Sequence, residues 1–230
     1  MNNKRLTIPV TDTESVSAVL TLPSKKSAVK KTGVITAHGA GNDMNNPLIV
    51  AFTDGMAVNG YPALRFNFPY REQGRRTPDG GKKLEHTWAA VYRYFTEHLS
   101  PDLEHVAAAG KSMGGRVASQ MAARHELPVD GIIFLGYPLH PAGDHSRIKD
   151  AHLYQITLPL LFFAGTRDRL CDPDILKTVL SRLSVPWELN MIEGGDHSFH
   201  IPKSAGLHEA DIFERIVAIS AEWLKTTFAA

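Results

Sequence analysis

The sequence predicts an α/β protein, a single domain built on a mostly parallel, twisted sheet with helices on both faces. Short apolar runs alternate with longer helical patterns along nearly the whole chain. Most of these runs are apolar on both faces, which is typical of strands buried in a parallel sheet. The chain has 230 residues, the size of one domain, so we expect residues 1–230 to fold as one unit.

The strands are predicted from these apolar runs. Six of them are Gly33–Gly39, Pro62–Phe68, Val106–Gly110, Gly131–Gly136, Leu158–Gly165 and Trp187–Ile192. The stretch Ser15–Pro23 alternates apolar and polar residues instead, which predicts an antiparallel strand at the edge of the sheet. Ligands of such sheets bind at the carboxyl ends of the strands, so the residues that follow each strand are the candidates for a site.

The helices are predicted from apolar residues that recur every three or four positions. The clearest stripe comprises Leu84, Trp88, Val91, Tyr92, Phe95 and Leu99. A second lies near the C-terminal end and comprises Ile212, Phe213, Ile216, Val217, Trp223 and Leu224. A weaker, Ala-rich pattern follows Ser112, where small residues would let a helix pack closely on the sheet.

Composition narrows the function classes. The chain is 43% hydrophobic and 21% charged, as globular proteins are, and its formal net charge of +1 provides no general attraction for nucleic acid or an anionic membrane. The stretch "MNNKRLTIPV" lacks the apolar core of a secretory signal, and no apolar run is long enough to span a bilayer. The single cysteine, Cys171, permits no intrachain disulfide. We therefore expect a cytoplasmic protein with no membrane insertion.

Ser112 is the candidate nucleophile. It lies between Gly110 and Gly114, directly after the strand Val106–Gly110, in the Gly-x-Ser-x-Gly pattern of a nucleophile elbow. Such a turn needs glycines because it is tight and strained. The alternative is a glycine-rich turn in which the serine only caps a helix. The apolar strand before Ser112 and the Ala-rich segment after it favour the nucleophile.

Asp168 is the candidate acid. It follows the strand Leu158–Gly165, where a carboxylate can orient an imidazole and stabilise its charged form. The alternative is a turn residue that pairs with a neighbouring arginine. Asp172 and Asp174 also compete, but "DPDIL" is typical of a helix N-cap and first turn.

His197 is the candidate base. It follows the strand Trp187–Ile192 in the loop "EGGDHSFH", from which an imidazole could reach Ser112. A surface histidine is the alternative, since the chain has 11 histidines, and His200 is a close rival. Asp196 is adjacent to His197, but successive side chains point apart, so it is not predicted to be the acid partner.

An oxyanion hole is predicted in "HGAGND", after the strand Gly33–Gly39. The backbone N–H groups of Ala40 and Met113 would hold the negative charge that develops during acyl transfer. We expect His38 to support this loop by hydrogen bonding. Gly39 and Gly41 could alternatively be ordinary turn glycines.

These candidates follow the order of the α/β-hydrolases along the chain: oxyanion loop, serine, aspartate, histidine. The segments "HGAGNDMNNP", "RFNFPYREQGRR" and "GKSMGGRVAS" resemble the small lid-less group related to dienelactone hydrolases, the Tex30/KANL3-like predicted hydrolases. The resemblance implies a carboxylic ester hydrolase with Ser112, Asp168 and His197 as its triad. Dienelactone hydrolase itself uses a cysteine nucleophile, so its lactone substrate is not expected for this chain.

An open site is expected, because the segment between Gly131–Gly136 and Leu158–Gly165 is too short for a helical cap domain. The basic stretch "FPYREQGRRTPDGGKK" is predicted to be a long loop. One hypothesis is that Tyr70, Arg71, Arg75 or Arg76 line the mouth and favour substrates with a carboxylate or phosphate. The alternative is a solvated charged loop with no role in specificity.

The function predicted from the sequence is hydrolysis of a small or medium carboxylic ester or thioester, with a small-molecule acyl substrate. No cofactor is expected and no metal, although His197 and His200 lie close together in the sequence. The alternative class is a hydrolase-like interaction module without catalysis, which the complete set of triad residues disfavours. Nucleotide binding of the dehydrogenase type is disfavoured because no Gly-x-Gly-x-x-Gly opens the first strand–helix turn.

Overall fold

The strands form a single sheet. A computed structural model describes residues 2–24, 30–99, 103–202, 206 and 208–229. Its strands are β1 (Asn2–Pro9), β2 (Ser15–Leu22), β3 (Thr32–Ala37), β4 (Ala63–Phe66), β5 (His105–Lys111), β6 (Gly131–Leu135), β7 (Leu160–Gly165) and β8 (Trp187–Ile192). Within the described residues they make an 8-stranded sheet in the order β1-β2-β4-β3-β5-β6-β7-β8.

The sheet is mostly parallel, as predicted. Strands β4, β3, β5, β6, β7 and β8 pair in parallel, whereas β1 with β2 and β2 with β4 are antiparallel. In the middle of the sheet Ile35 lies opposite Leu64 on one side and Ala108 on the other. The carboxyl ends of β3, β5, β7 and β8 therefore lie along one edge of the sheet.

The strand Ser15–Leu22 is antiparallel as predicted, but the prediction that it forms the edge is wrong. Strand β1 pairs along its outer side, from Asn2 opposite Leu22 to Pro9 opposite Ser15. Most side chains of β1 are exposed, with Ile8 its buried residue, so the strand has little of the apolar content by which buried strands are recognised.

Helices cover both faces of the sheet, as predicted. They are α1 (Pro47–Val58), α2 (Pro69–Glu72), α3 (Gly81–Tyr94), α4 (Met113–Ala123), α5 (Pro173–Leu180) and α6 (Glu209–Thr227). Strand β5 shows how the sheet separates two cores: Ala108 packs with Trp88 of α3 on one face, and its neighbour Ala109 packs with Phe52 and Ile216 on the other. This alternation explains why the central strands are apolar on both faces.

Helices α1 and α2 are not among those predicted from the sequence. Helix α1 begins at Pro47 after Asn46, whose side chain accepts a hydrogen bond from the backbone N–H of Leu48 at 3.2 Å. This combination of an asparagine cap and a first-turn proline is the sequence signal that predicts such a start. The short α2 lies inside the basic stretch that was expected to be a loop, and it also begins at a proline, Pro69.

In the described part of the chain, no cap domain lies over the site edge of the sheet. Between β6 and β7 the chain forms only one 3₁₀ turn, Leu153–Gln155. Across the described ranges, no helix has both the length and the apolar character needed to cross a membrane.

Candidate active site

Ser112 occupies a strained turn between β5 and α4. Its φ of 49° and ψ of −111° lie in a region that residues with a side chain rarely adopt. Glycines make the turn possible: a Cβ on Gly110 would lie 2.1 Å from the Gly115 nitrogen, and one on Gly114 would lie 2.7 Å from the carbonyl oxygen of Ala37. The backbone at Ser112 is therefore held by close packing of strand, turn and helix.

Ser112, His197 and Asp168 form a continuous chain of hydrogen bonds. His197 Nε2 lies 2.9 Å from Ser112 Oγ, and His197 Nδ1 lies 2.7 Å from Asp168 Oδ2. The three side chains come from the loops that follow β5, β8 and β7. The structure thus brings together the three residues that the sequence selected from separate strand ends.

The carboxylate of Asp168 is buried and fixed in orientation. Its side chain has no exposed surface, and its Oδ1 accepts a hydrogen bond of 2.8 Å from the N–H of Leu170. Only Oδ2 therefore faces His197. The backbone N–H of Arg167 donates to the Gly195 carbonyl at 2.8 Å, which ties the Asp168 loop to the His197 loop.

The rivals of His197 and Asp168 have other contacts. Asp196 Oδ1 accepts hydrogen bonds from the N–H groups of Ser198 at 2.7 Å and His200 at 3.0 Å, so it shapes the loop. The His200 side chain is 61% exposed and pairs with Glu209 at 3.4 Å. Asp172 caps α5 by accepting from the N–H groups of its first turn.

A buried pair of side chains orients the loop after β3. The N–H of Phe68 donates to His38 Nε2 at 3.2 Å, so His38 Nδ1 carries the proton and donates it to the Gly39 carbonyl at 2.8 Å. Burial lowers the pKa of His38 to about 4, so this imidazole is neutral at physiological pH. The Tyr70 hydroxyl also lies 3.4 Å from the Gly39 carbonyl. His38 therefore supports the loop, as predicted.

This orientation points the Ala40 N–H away from the buried side chains of His38 and Tyr70. In a trans peptide the C=O and N–H groups point in opposite directions, and the Gly39 carbonyl points inward. Ala40 is exposed, and a Cβ on Gly39 would lie 3.4 Å from Ser112 Cβ, so the loop lies beside the serine. Among the described residues, the N–H groups of Ala40 and Met113 donate no hydrogen bond. Two free donors beside Ser112 are the arrangement that an oxyanion hole requires.

Two arginines of the basic stretch form ion pairs. Arg71 lies 3.4 Å from a carboxylate oxygen of Asp43, and Arg75 lies 2.5 Å from one of Asp79. Tyr70 is fully buried, and burial raises its pKa to about 12. The expectation that Tyr70 lines the mouth therefore does not fit its position, because the ring packs under the loop after β3. The ion pairs of Arg71 and Arg75 favour the alternative of a charged loop without a role in specificity.

A second serine–histidine contact lies deeper in the molecule. Ser119 Oγ is 2.9 Å from His152 Nε2, and it also donates to the Arg116 carbonyl at 2.9 Å. Ser119 has no exposed surface, and burial lowers the pKa of His152 to about 4. In the part of the chain that the structure describes, no carboxylate hydrogen-bonds to His152. This pair therefore lacks both the acid partner and the access to solvent that Ser112 and His197 have.

Metal-binding side chains do not cluster in the described residues: no group of three or more His, Cys, Asp or Glu could hold an ion. The buried His140 instead has backbone partners, since its Nε2 accepts from the N–H of Asp172 at 2.9 Å and its Nδ1 lies 3.0 Å from the Pro141 carbonyl. These contacts give His140 a role in holding the loop that follows β6.

The fold and the site together define the α/β-hydrolase class. The sequence model of a family described as an alpha/beta hydrolase domain matches residues 30–225, and the chain belongs to this family. That match includes every residue of the candidate site.

Solved structures with the same fold include a serine hydrolase homologue, a serine hydrolase and a dienelactone hydrolase. An alpha-beta serine hydrolase homologue from Coxiella burnetii is 22% identical, with a TM-score of 0.72 over 100% of this chain and 99% of that one. A serine hydrolase without a lid from Xanthomonas campestris is 20% identical, with a TM-score of 0.72 over 95% and 94%. Dienelactone hydrolase from Anabaena variabilis is 17% identical, with a TM-score of 0.71 over 98% of each chain. At these identities the likeness concerns the fold.

Proposed function

We propose that the protein is a serine hydrolase that cleaves small or medium carboxylic esters or thioesters, with Ser112 as nucleophile. The observation that carries the proposal is the unbroken hydrogen-bond chain from Ser112 Oγ through His197 to the buried carboxylate of Asp168. A serine hydroxyl is a weak nucleophile until a base accepts its proton, and the base works only if its tautomer is fixed. This chain of contacts meets both requirements.

The reaction runs in two stages. Ser112 Oγ attacks the acyl carbon while His197 Nε2 takes the hydroxyl proton, and the N–H groups of Ala40 and Met113 stabilise the tetrahedral oxyanion. The intermediate collapses as His197 passes the proton to the leaving oxygen or sulfur, which leaves an acyl-enzyme. Water then attacks the acyl carbon, His197 takes a proton from it, and Ser112 recovers that proton as the acid departs. Asp168 stays ionised throughout and stabilises the imidazolium.

The size of the substrate follows from how open the site is. Ser112 is partly exposed, and 21% of the His197 side chain is accessible. The chain between β6 and β7 contributes no cap over them. An uncovered site offers little apolar surface for a long acyl chain, which supports small or medium acyl groups.

The test compares two serines of the same helical segment. Ser112→Ala is expected to abolish labelling by a fluorophosphonate probe and to lower kcat/KM for p-nitrophenyl esters by several orders of magnitude. Ser119→Ala is the matched control, because it removes a buried hydroxyl from α4 and leaves the hydrogen-bond chain of Ser112 intact. It is expected to retain labelling and most of the activity.

The opposite pattern, labelling that survives in Ser112→Ala and is lost in Ser119→Ala, would assign the nucleophile to Ser119. A folded wild-type protein that no fluorophosphonate labels would instead favour the interaction module. A series of p-nitrophenyl and thioester substrates of increasing acyl length then defines the substrate.

We also propose that the protein works in the cytoplasm. Cys171, the single cysteine of the sequence, is buried as a free thiol whose pKa is raised by burial. An unpaired thiol suits a reducing compartment. Recovery of the protein in the membrane or secreted fraction of its own cells would contradict this location.

A further inference from the structure

Lys111, the residue before Ser112, has an unpaired buried ammonium. The residue is only 6% exposed, and Nζ has no hydrogen-bond partner within the described residues. No carboxylate in that part of the chain lies within ion-pair distance of it either. Burying an unpaired charge opposes folding, so a lysine here is not explained by stability.

The Lys111 side chain lies between the loop after β3 and the loop after β6. Its Cγ lies 3.3 Å from the position that a Cβ on Gly39 would occupy, next to the oxyanion loop. Its Nζ lies 3.2 Å from the corresponding position on Gly136, and His197 Cε1 lies 3.7 Å from that same position. The ammonium and the imidazole of His197 therefore both border the space that Gly136 leaves by having no side chain.

The charged groups that act on Lys111 come from two loops. Asp168 follows β7 and Asp196 follows β8, and each raises the pKa of Lys111, whereas burial has the larger effect and lowers that pKa to about 8. Lys111 is therefore mostly charged at neutral pH.

We propose that Lys111 is a positioning residue of the triad, whose buried ammonium keeps His197 in its neutral, proton-accepting form and Asp168 ionised. A fixed positive charge beside an imidazole disfavours its protonation, and the same charge favours a neighbouring carboxylate. The residue thereby extends the pH range over which His197 can activate Ser112. The inference rests on the proposed function, since it assigns His197 the role of base.

The test replaces the charge and keeps the shape. Lys111→Met removes the ammonium from an unbranched side chain of similar length, Lys111→Arg retains a charge, and Lys225→Met removes an exposed lysine of α6 as a control. The rate of Ser112 labelling by a fluorophosphonate is measured from acidic to alkaline pH. The acid midpoint is expected to rise by roughly one pH unit in Lys111→Met, as for a charge several ångströms away at the effective dielectric of a protein. It is expected to stay at the wild-type value in Lys111→Arg and Lys225→Met.

Two further readouts separate this role from a structural one. The His197 pKa, measured by NMR of its ring protons, is expected to rise by the same amount in Lys111→Met. Thermal unfolding of Lys111→Met is expected at or above the wild-type temperature, because the variant no longer buries an unpaired charge.

The possible failures are distinct. A wild-type acid midpoint and a wild-type His197 pKa in Lys111→Met would overturn the role of Lys111 and leave the proposed function intact. Absence of labelling in the wild-type protein would defeat the proposed function, and the NMR titration of His197 would still test the effect of Lys111. A lower unfolding temperature with an unchanged acid midpoint would mean that Lys111 is structural.

Discussion

Replacing Asp168 by asparagine tests the hydrogen-bond chain of the site with the smallest change in shape. In the wild-type protein Oδ1 of Asp168 accepts from the Leu170 N–H at 2.8 Å and Oδ2 faces His197 Nδ1 at 2.7 Å. An asparagine has one oxygen, and the Leu170 N–H requires it. The amide NH₂ is then turned toward His197.

This exchange forces the wrong tautomer on His197. Facing a donor, Nδ1 must become the acceptor, so the proton moves to Nε2, which then cannot accept the proton of Ser112. In a serine protease the same substitution lowers kcat by about 10⁴, which corresponds to about 5.5 kcal/mol of activation free energy. We expect a loss of that order in Asp168→Asn, while the fold persists because both side chains have the same shape.

The assay is steady-state hydrolysis of a short p-nitrophenyl ester, with ring ¹⁵N shifts of His197 to identify the tautomer. Asp172→Asn is the matched control, since asparagine caps a helix as well as aspartate does and Asp172 caps α5. It is expected to leave kcat within about twofold of the wild type. Activity of Asp168→Asn within tenfold of the wild type, with Nδ1 still protonated, would refute the assignment of Asp168.

Three other predictions concern the parts that hold the site. Tyr70→Phe removes the hydroxyl beside the Gly39 carbonyl. Because the Ala40 N–H donor is then held less firmly, kcat is expected to fall by roughly threefold with little change in KM. Unchanged ester kinetics would contradict this. Gly110→Ala places a methyl group against backbone, and the free energy of unfolding measured in urea is expected to fall by about 3 kcal/mol. Gly80→Ala adds its methyl group in open space and is expected to leave the free energy of unfolding nearly unchanged. Burial lowers the pKa of His38 from 6.5 to about 4 in the folded protein, so between these pH values the unfolded chain binds a proton that the folded protein does not. The free energy of unfolding is therefore expected to fall by up to about 3 kcal/mol as pH falls from 6.5 to 4. If His38→Gln loses as much stability over this pH range as the wild type, the assignment to His38 is refuted.

The strands of the sheet illustrate what local pattern can predict. Strands β3 and β7 are buried along their whole length, and β5 is buried at every residue after His105. Most of their residues therefore had to be apolar, and the runs are visible in the sequence. Strand β1 is exposed along most of its length and has a partner on one side only. A strand held mainly by backbone hydrogen bonds leaves little record in side-chain pattern, and it was missed for that reason.

Around Ser112 as well, some features are predictable from the sequence pattern and others are not. Tyr70 was expected at the mouth because its segment is basic and follows a strand, yet the ring is fully buried beside His38. One hypothesis places Arg71 and Arg75 at the mouth for a charged substrate, but each pairs with an aspartate. Asp43 lies outside the stretch of sequence that suggested the role, and Asp79 lies within it.

The sequence by itself determined the class of fold and which side chains follow the ends of the strands. The carboxyl ends of parallel strands lie at one edge of the sheet, whatever the conformation of the loops. From that, Ser112, Asp168 and His197 could be selected together. Only the tertiary structure decided the direction of each neighbouring side chain. Tyr70 turns inward, and Arg71 and Arg75 each pair with an aspartate. Lys111 is buried near His197, and its ammonium has no hydrogen-bond partner among the described residues. Those directions depend on contacts between segments far apart in the chain, which local spacing does not encode.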